Sequence, residues 1–95
     1  MDCKTLYFSR HAFERMFQRG IEPDAVMRVV TSGETLANYP DDQPFPSTLL
    51  LGFNAGQPIH AVVAQDPVTG VCHLVTAYRP DPQLWNEAFT KRRSR

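Results

Sequence analysis

Apolar and polar positions alternate along the chain in two different rhythms, a helical one first and a strand-like one afterwards. Phe13, Met16 and Phe17 recur at helical spacing after Arg10, with Ser9 placed as an N-cap and Gly20 following Arg19 as a stop. These signals predict one helix from Arg10 to Arg19. Lys4–Phe8, just before it, reads as a short strand or extended lead-in. Pro23 is suited to the first position of a second helix, with Asp24 in its first turn, an apolar stripe of Val26, Val29 and Val30, and Gly33 at its end. Beyond Gly33 the pattern predicts strands over Glu34–Tyr39, Thr48–Phe53, Ile59–Gln65 and Val71–Tyr78. Pro40, Asp41, Asp42, Pro44 and Pro46 break the chain into a surface loop between the first two. Asn54–Gln57 and Asp66–Gly70 are short turns, so the last three strands form an antiparallel meander.

The predicted order is β-α-α-β-β-β-β, an α+β fold with two N-terminal helices packed on one face of a twisted antiparallel sheet. Pro80 and Pro82 end the sheet, and Trp85 with Phe89 suggests a short closing helix or turn. Residues 1–90 then form a single domain, and 91–95 a basic C-terminal tail. Alternation places His60, Val62 and Ala64 on one face of their strand, opposite Ile59, Ala61 and Val63. On the last strand it groups Cys72, Leu74, Thr76 and Tyr78 against His73, Val75, Ala77 and Arg79. Both sheet faces are fairly apolar, so more than one side must be covered, by helices or by a partner.

Composition narrows the class without naming a chemistry. With 95 residues, 42% of them hydrophobic and 21% charged, the chain fits one globular domain and not a disordered segment. Ten Lys and Arg balance ten Asp and Glu, which argues against a histone-like or polybasic membrane binder. The balance is uneven along the chain. Residues 34–90 carry one basic residue, Arg79, against six acids, whereas Lys91, Arg92, Arg93 and Arg95 end the chain with no acid. No apolar run is long enough to span a membrane, and Asp2, Lys4 and Arg10 leave no apolar leader, so a cytoplasmic location is expected. Cys3 and Cys72 are too few and too unpatterned for a disulfide framework or a zinc ribbon, and Cys72 is expected as a buried strand cysteine.

Two groups of residues could carry chemistry. His11, Arg15 and Arg19 follow at i, i+4 and i+8 and line one edge of the first helix. Arginines beside a histidine favour its neutral form, which suits a general base next to phosphate-binding guanidinium groups. The same spacing also describes a solvated helix face with a Glu14–Gln18 contact. His60 and His73 lie on neighbouring strands, with Tyr78 and Arg79 at the end of the second. His60 is either a hydrogen-bonded core histidine or a site residue, and Tyr78 is ambiguous in the same way. A metal site from His60, Cys72 and His73 matches no ligand template, and Asp41 and Asp42 read as turn formers. The sequence has no Gly-rich phosphate loop, no H-E-x-x-H, no C-x-x-C and no G-x-S-x-G.

The stretch Ser9-Arg10-His11-Ala12-Phe13-Glu14-Arg15-Met16-Phe17-Gln18-Arg19-Gly20-Ile21 resembles the opening of a small bacterial family, domain of unknown function 4258, grouped with BrnT and RelE-like toxins. The resemblance continues through Gly33-Glu34, Tyr39-Pro40-Asp41-Asp42, Pro46, Leu50-Leu51-Gly52, Pro58-Ile59-His60 and Thr76-Ala77-Tyr78 to Pro80 and Trp85. It implies a RelE-like α+β toxin of a type II toxin–antitoxin pair, a metal-independent endoribonuclease that needs no cofactor. Its implied partners are RNA and a cognate antitoxin, often a small zinc-finger protein. The implied site has His11 or His60 as base or acid, Tyr78 as acid or stacking group, and Arg15, Arg19 and Arg79 as phosphate ligands. The neutral charge departs from the basic character of RelE-type ribonucleases, which weighs against ribosome docking more than against cleavage of free RNA. The competing reading is a non-catalytic protein-interaction module on the same scaffold. The edge strands of a small open sheet could also pair into a homodimer.

Overall fold

Ser9 turns the chain from strand into helix. The computed structural model describes residues 1–94, and in it the Ser9 hydroxyl accepts from the Ala12 N–H at 3.0 Å, closing the first turn of α1 (Arg10–Gln18). Just before it lies β1 (Leu6–Phe8). At the other end Gly20 adopts φ 66°, the left-handed conformation that a side chain resists. There the Ile21 N–H reaches the Met16 carbonyl and the Gly20 N–H reaches Phe17, the paired bonds of a glycine-terminated helix. Ile21 and Met16 are both buried, so the same turn closes an apolar contact. Pro23 opens α2 (Pro23–Ser32), whose Ala25, Val26, Val29 and Val30 all point into the core.

Four longer strands follow: β2 (Glu34–Tyr39), β3 (Ser47–Asn54), β4 (Gln57–Gln65) and β5 (Cys72–Tyr78). The sheet order is β1-β5-β4-β3-β2. The helices carry the chain from one sheet edge to the other, and the meander brings it back to β1. The sheet is therefore mixed and not wholly antiparallel as expected, because β1 pairs with β5 in parallel. β1 has no hairpin neighbour, so the rule that orients the meander does not govern it.

One layer of core lies between helices and sheet. Met16, Val26, Val29, Leu50, Ile59, Ala61, Val63 and Leu74 meet there, each large side chain contributing about 1.5–3 kcal/mol by leaving water. α1 lies over β5, and α2 over β3 and β4. The α2 contact is close because of Gly52: a Cβ there would stand 2.7 Å from Val29 Cγ2.

A register slip in the β4–β5 pair changes which residues face the core. Val63 pairs with Leu74 but Val62 pairs with Thr76, so β5 carries one additional residue at this point. Ile59, Ala61 and Val63 face the helices, as alternation indicates. On β5 the alternation loses phase: Ala77 joins Cys72 and Leu74 in the core, and Tyr78 pairs with His60 on the opposite face. The expected grouping of Tyr78 with Cys72 and Leu74 is thus corrected.

The expectation for the cysteines is corrected as well. Cys72 is buried, but it is bonded to Cys3 across 69 positions of sequence, tying the N-terminal segment to β5. That separation has no motif to announce it. The face away from the helices is covered in part by the chain's own irregular segments. Phe45 of the Pro-rich loop stacks on His73, whose other neighbour is Tyr7. The residues after Tyr78 form turns and not a helix, and Trp85 bridges to Arg92. Lys91–Arg93 therefore belong to a folded-back segment, while Arg95, the last basic residue, lies outside the described residues. Among the described residues no helix is long and apolar enough to cross a membrane.

Candidate functional site

The β4–β5 register brings His60 and Tyr78 side by side on the face away from the helices. His60 is wholly buried, and both ring nitrogens are engaged. Nε2 lies 2.8 Å from the carbonyl oxygen of Phe89, and Nδ1 lies 3.2 Å from the Tyr78 hydroxyl. A carbonyl can only accept, so Nε2 carries the proton and Nδ1 accepts from Tyr78. Trp85 meets the imidazole edge-on with ring centroids 4.4 Å apart. Burial pushes the His60 pKa below the usual histidine range, and the bond to Phe89 opposes this only in part. Burial also raises the Tyr78 pKa, helped by nearby Tyr39 and opposed by Arg92. A neutral imidazole and a protonated phenol are the forms that this hydrogen bond requires.

The second group lies at the end of α1. Arg19 Nη1 donates to the Ala77 carbonyl at 2.7 Å and to Thr76 Oγ1 at 3.2 Å. Arg79, just past the end of β5, answers by donating to the Arg19 carbonyl at 2.7 Å and the Gly20 carbonyl at 3.1 Å. The two guanidinium groups thus lace the helix end to the strand end, and Arg79 satisfies carbonyls that the last turn leaves open. Arg15 sits one turn before Arg19 and His11 one turn before Arg15, all exposed. Among the described residues the one ion pair is Arg10 with Glu14 at 3.2 Å, so Arg15, Arg19 and Arg79 meet no carboxylate. Arg19 and Arg79, held together at the helix end, and Arg15 one turn before, none of them in an ion pair among the described residues, form a local anion-attracting edge in a chain of zero net charge.

The six residues singled out in the sequence therefore divide into two groups. Arg15, Arg19 and Arg79 share the α1–β5 edge with His11, whereas His60 and Tyr78 face the other way beneath residues 80–94. Cys72 and His73 do not join His60 in a metal site, because the Cys72 sulfur is bonded to Cys3 inside the helix-side core. Among the described residues no three potential metal-binding side chains cluster. Sequence reasoning missed the contribution of Trp85, Phe89 and Arg92 to the His60 environment. The pairing of one aromatic residue with a basic tail was visible, but nothing local shows that such a tail folds back.

The residues quoted for the family resemblance in α1, β4 and β5 lie in the elements that build both groups. Neither a curated protein nor a solved structure matches the chain. A family profile described as domain of unknown function (DUF4258) matches residues 8–79, which includes every element from the end of β1 through β5. Covering most of the sequence and both helices, that match shows that the chain belongs to the DUF4258 family.

Proposed function

We propose that the protein is the toxin of a type II toxin–antitoxin pair, a metal-independent endoribonuclease that works on RNA in the cytoplasm. The observation that carries this reading is the exposed edge of Arg15, Arg19 and Arg79, which lack carboxylate partners among the described residues, with His11 one turn before Arg15. RNA offers the matching charge at each phosphate. On this edge His11 removes the proton of a ribose 2′-hydroxyl, and the 2′-oxygen attacks the adjacent phosphorus. Arg15, one turn from His11, stabilises the charge of the phosphorane, Arg19 and Arg79 hold neighbouring phosphates of the strand, and the departing 5′-oxygen takes a proton from solvent, leaving a 2′,3′-cyclic phosphate. His60 and Tyr78 take part only when the segment over them is displaced.

A second reading, a protein-interaction module, is favoured by Phe13 and Phe17. They stand one turn apart on α1 beside the cleft at the helix corner, and Phe17 is 84% exposed. In the toxin reading this patch is where the antitoxin docks, a small zinc-finger protein being the implied kind. Induced expression alone and with the neighbouring gene tests both. Growth arrest with RNA fragmentation, rescued by the neighbour and abolished by His11→Ala, supports the ribonuclease. Normal growth with intact RNA favours the interaction module.

A further inference from the structure

Residues 80–94 lie beyond the part of the chain that matches the family, yet they cover the buried His60 and its partner Tyr78. The segment is largely self-contained. Leu84 and Trp85 N–H groups return to the Asp81 carbonyl, Asn86 bonds Lys91, and Arg93 bonds Leu84 and, through its side chain, Pro82. Among the described residues its one hydrogen bond to the rest of the protein is that from His60 Nε2 to the Phe89 carbonyl. Trp85, against the His60 ring, is its main apolar anchor. Phe89 adopts φ 60°, a conformation disfavoured for an aromatic residue, at the position whose carbonyl meets His60. Beyond Pro80, which is also buried, the segment is held chiefly by one aromatic side chain and one hydrogen bond, so it can leave without unravelling the sheet.

The segment presents three groups at His60: the Trp85 indole perpendicular to the imidazole, a carbonyl oxygen on Nε2–H, and the Arg92 guanidinium 5.8 Å over the indole. We propose that the His60–Tyr78 face is a binding site for a nucleobase bearing a ring carbonyl, and that Trp85 and Phe89 occupy it as an internal stand-in. Uracil unites in one molecule the flat ring and the acceptor oxygen that the segment supplies from two residues. Tyr78 holds the imidazole so that Nε2 always offers a proton and the site always seeks an acceptor. The choice of ligand rests on the RNA reading, and the site adds to the α1–β5 edge a second point of contact that recognises the base.

Uridine monophosphate is the probe, ribose 5-phosphate the control without a base, and the histidine ring NMR signals the readout. Two full-length variants open the site in different ways. Trp85→Ala removes the apolar anchor, and Phe89→Pro forbids the positive φ and moves the carbonyl. A cover closed about 90% of the time weakens apparent affinity about tenfold, so each variant is expected to bind uridine monophosphate up to about tenfold more tightly than the parent. The His60 signals move on binding, and ribose 5-phosphate does not move them. In the parent, saturating nucleotide shifts emission of Trp85, the one tryptophan, towards the red as the indole meets water. Folded variants that take up no uridine monophosphate, or take it up with His60 unmoved, overturn the proposal. So does unfolding of both variants, because the segment would then be structural and not displaceable. If the parent neither binds nor cleaves RNA while the variants bind the nucleotide, the ribonuclease reading falls and the site stands. If RNA binds along the α1–β5 edge but no variant binds the nucleotide, the site falls and the ribonuclease reading stands.

Discussion

The hydroxyl of Tyr78 stands 3.2 Å from Nδ1 of His60, a half-buried donor meeting a buried acceptor across two neighbouring strands. Removing the donor leaves Nδ1 without a partner. Tyr78→Phe is therefore expected to lower stability by about 1–3 kcal/mol in urea unfolding, the cost of a buried unsatisfied group. Tyr7→Phe, changed at an exposed ring, is expected to leave the urea midpoint nearly unmoved. Equal midpoints for the two variants would show that the His60–Tyr78 bond is not made.

Stability should fall on mild acidification. His60 has a lowered pKa in the folded state, so the unfolded chain binds the proton more readily. The stabilisation is complete above the unfolded value of about 6.5 and is lost as the pH falls from there towards the depressed folded value. Asp66, whose carboxyl is held low chiefly by the Val68 N–H, acts in the same direction but in the lower carboxylate window. Thermal melts between pH 8 and pH 5, on the order of the histidine window, are expected to show a decline that His60→Gln flattens. A decline of the same size in the variant would assign it to other groups.

The contact between α2 and β3 depends on a missing side chain. Gly52→Ala places a Cβ 2.7 Å from Val29 Cγ2 and 3.2 Å from the Val29 Cα, so the helix must shift. Overpacking of this kind costs about 1–3 kcal/mol. Gly56, in the β3–β4 turn, has open space but a φ of 78°. Gly56→Ala is thus strained by backbone conformation alone, and Gly52→Ala is expected to cost more in a denaturant titration.

The bond between Cys3 and Cys72 closes a long stretch of the chain. On the loop-entropy account such a link stabilises by roughly 4 kcal/mol at most, and often by less. Reductant should lower the urea midpoint of the parent and leave Cys3→Ser unaffected. A protein working in the cytoplasm meets reducing conditions, so the reduced form must remain folded at growth temperature. A reduced chain that is unfolded at that temperature would contradict a cytoplasmic site of action.

Much of this fold was legible because its boundaries are chemical. Ser9, Gly20 and Pro23 mark helix ends by capping, by left-handed backbone and by fixed φ, each a property of a single residue, while Gly33 ends α2 where the Val29 and Leu51 carbonyls leave no room for a side chain. The turns at Asn54–Gln57 and Asp66–Gly70 are local in the same sense. What stayed hidden depends on residues far apart. The slip beside Val62 reverses the facing of Tyr78 without any change in residue type, and the parallel docking of β1 follows from where the meander ends. The disulfide joins positions that no motif links. The α1 edge of His11, Arg15 and Arg19 was readable from i, i+4 spacing. That Arg79 joins it, and that His60 and Tyr78 face away from it, required the sheet.

The RNA reading is tested most directly by the affinity of the protein for a single-stranded RNA as a function of salt, in the parent and in Arg15→Gln. Arg15 is the clean probe, since Arg19 and Arg79 also hold backbone carbonyls. Each phosphate neutralised on a single strand contributes about −0.7 to the slope of log affinity against log salt. Contacts from Arg15, Arg19 and Arg79 predict a slope of about −2 in the parent, reduced in magnitude by about 0.7 in Arg15→Gln with its melting temperature unchanged. RNA affinity that is independent of salt, or the same slope in both proteins, would contradict the assignment of this edge to RNA.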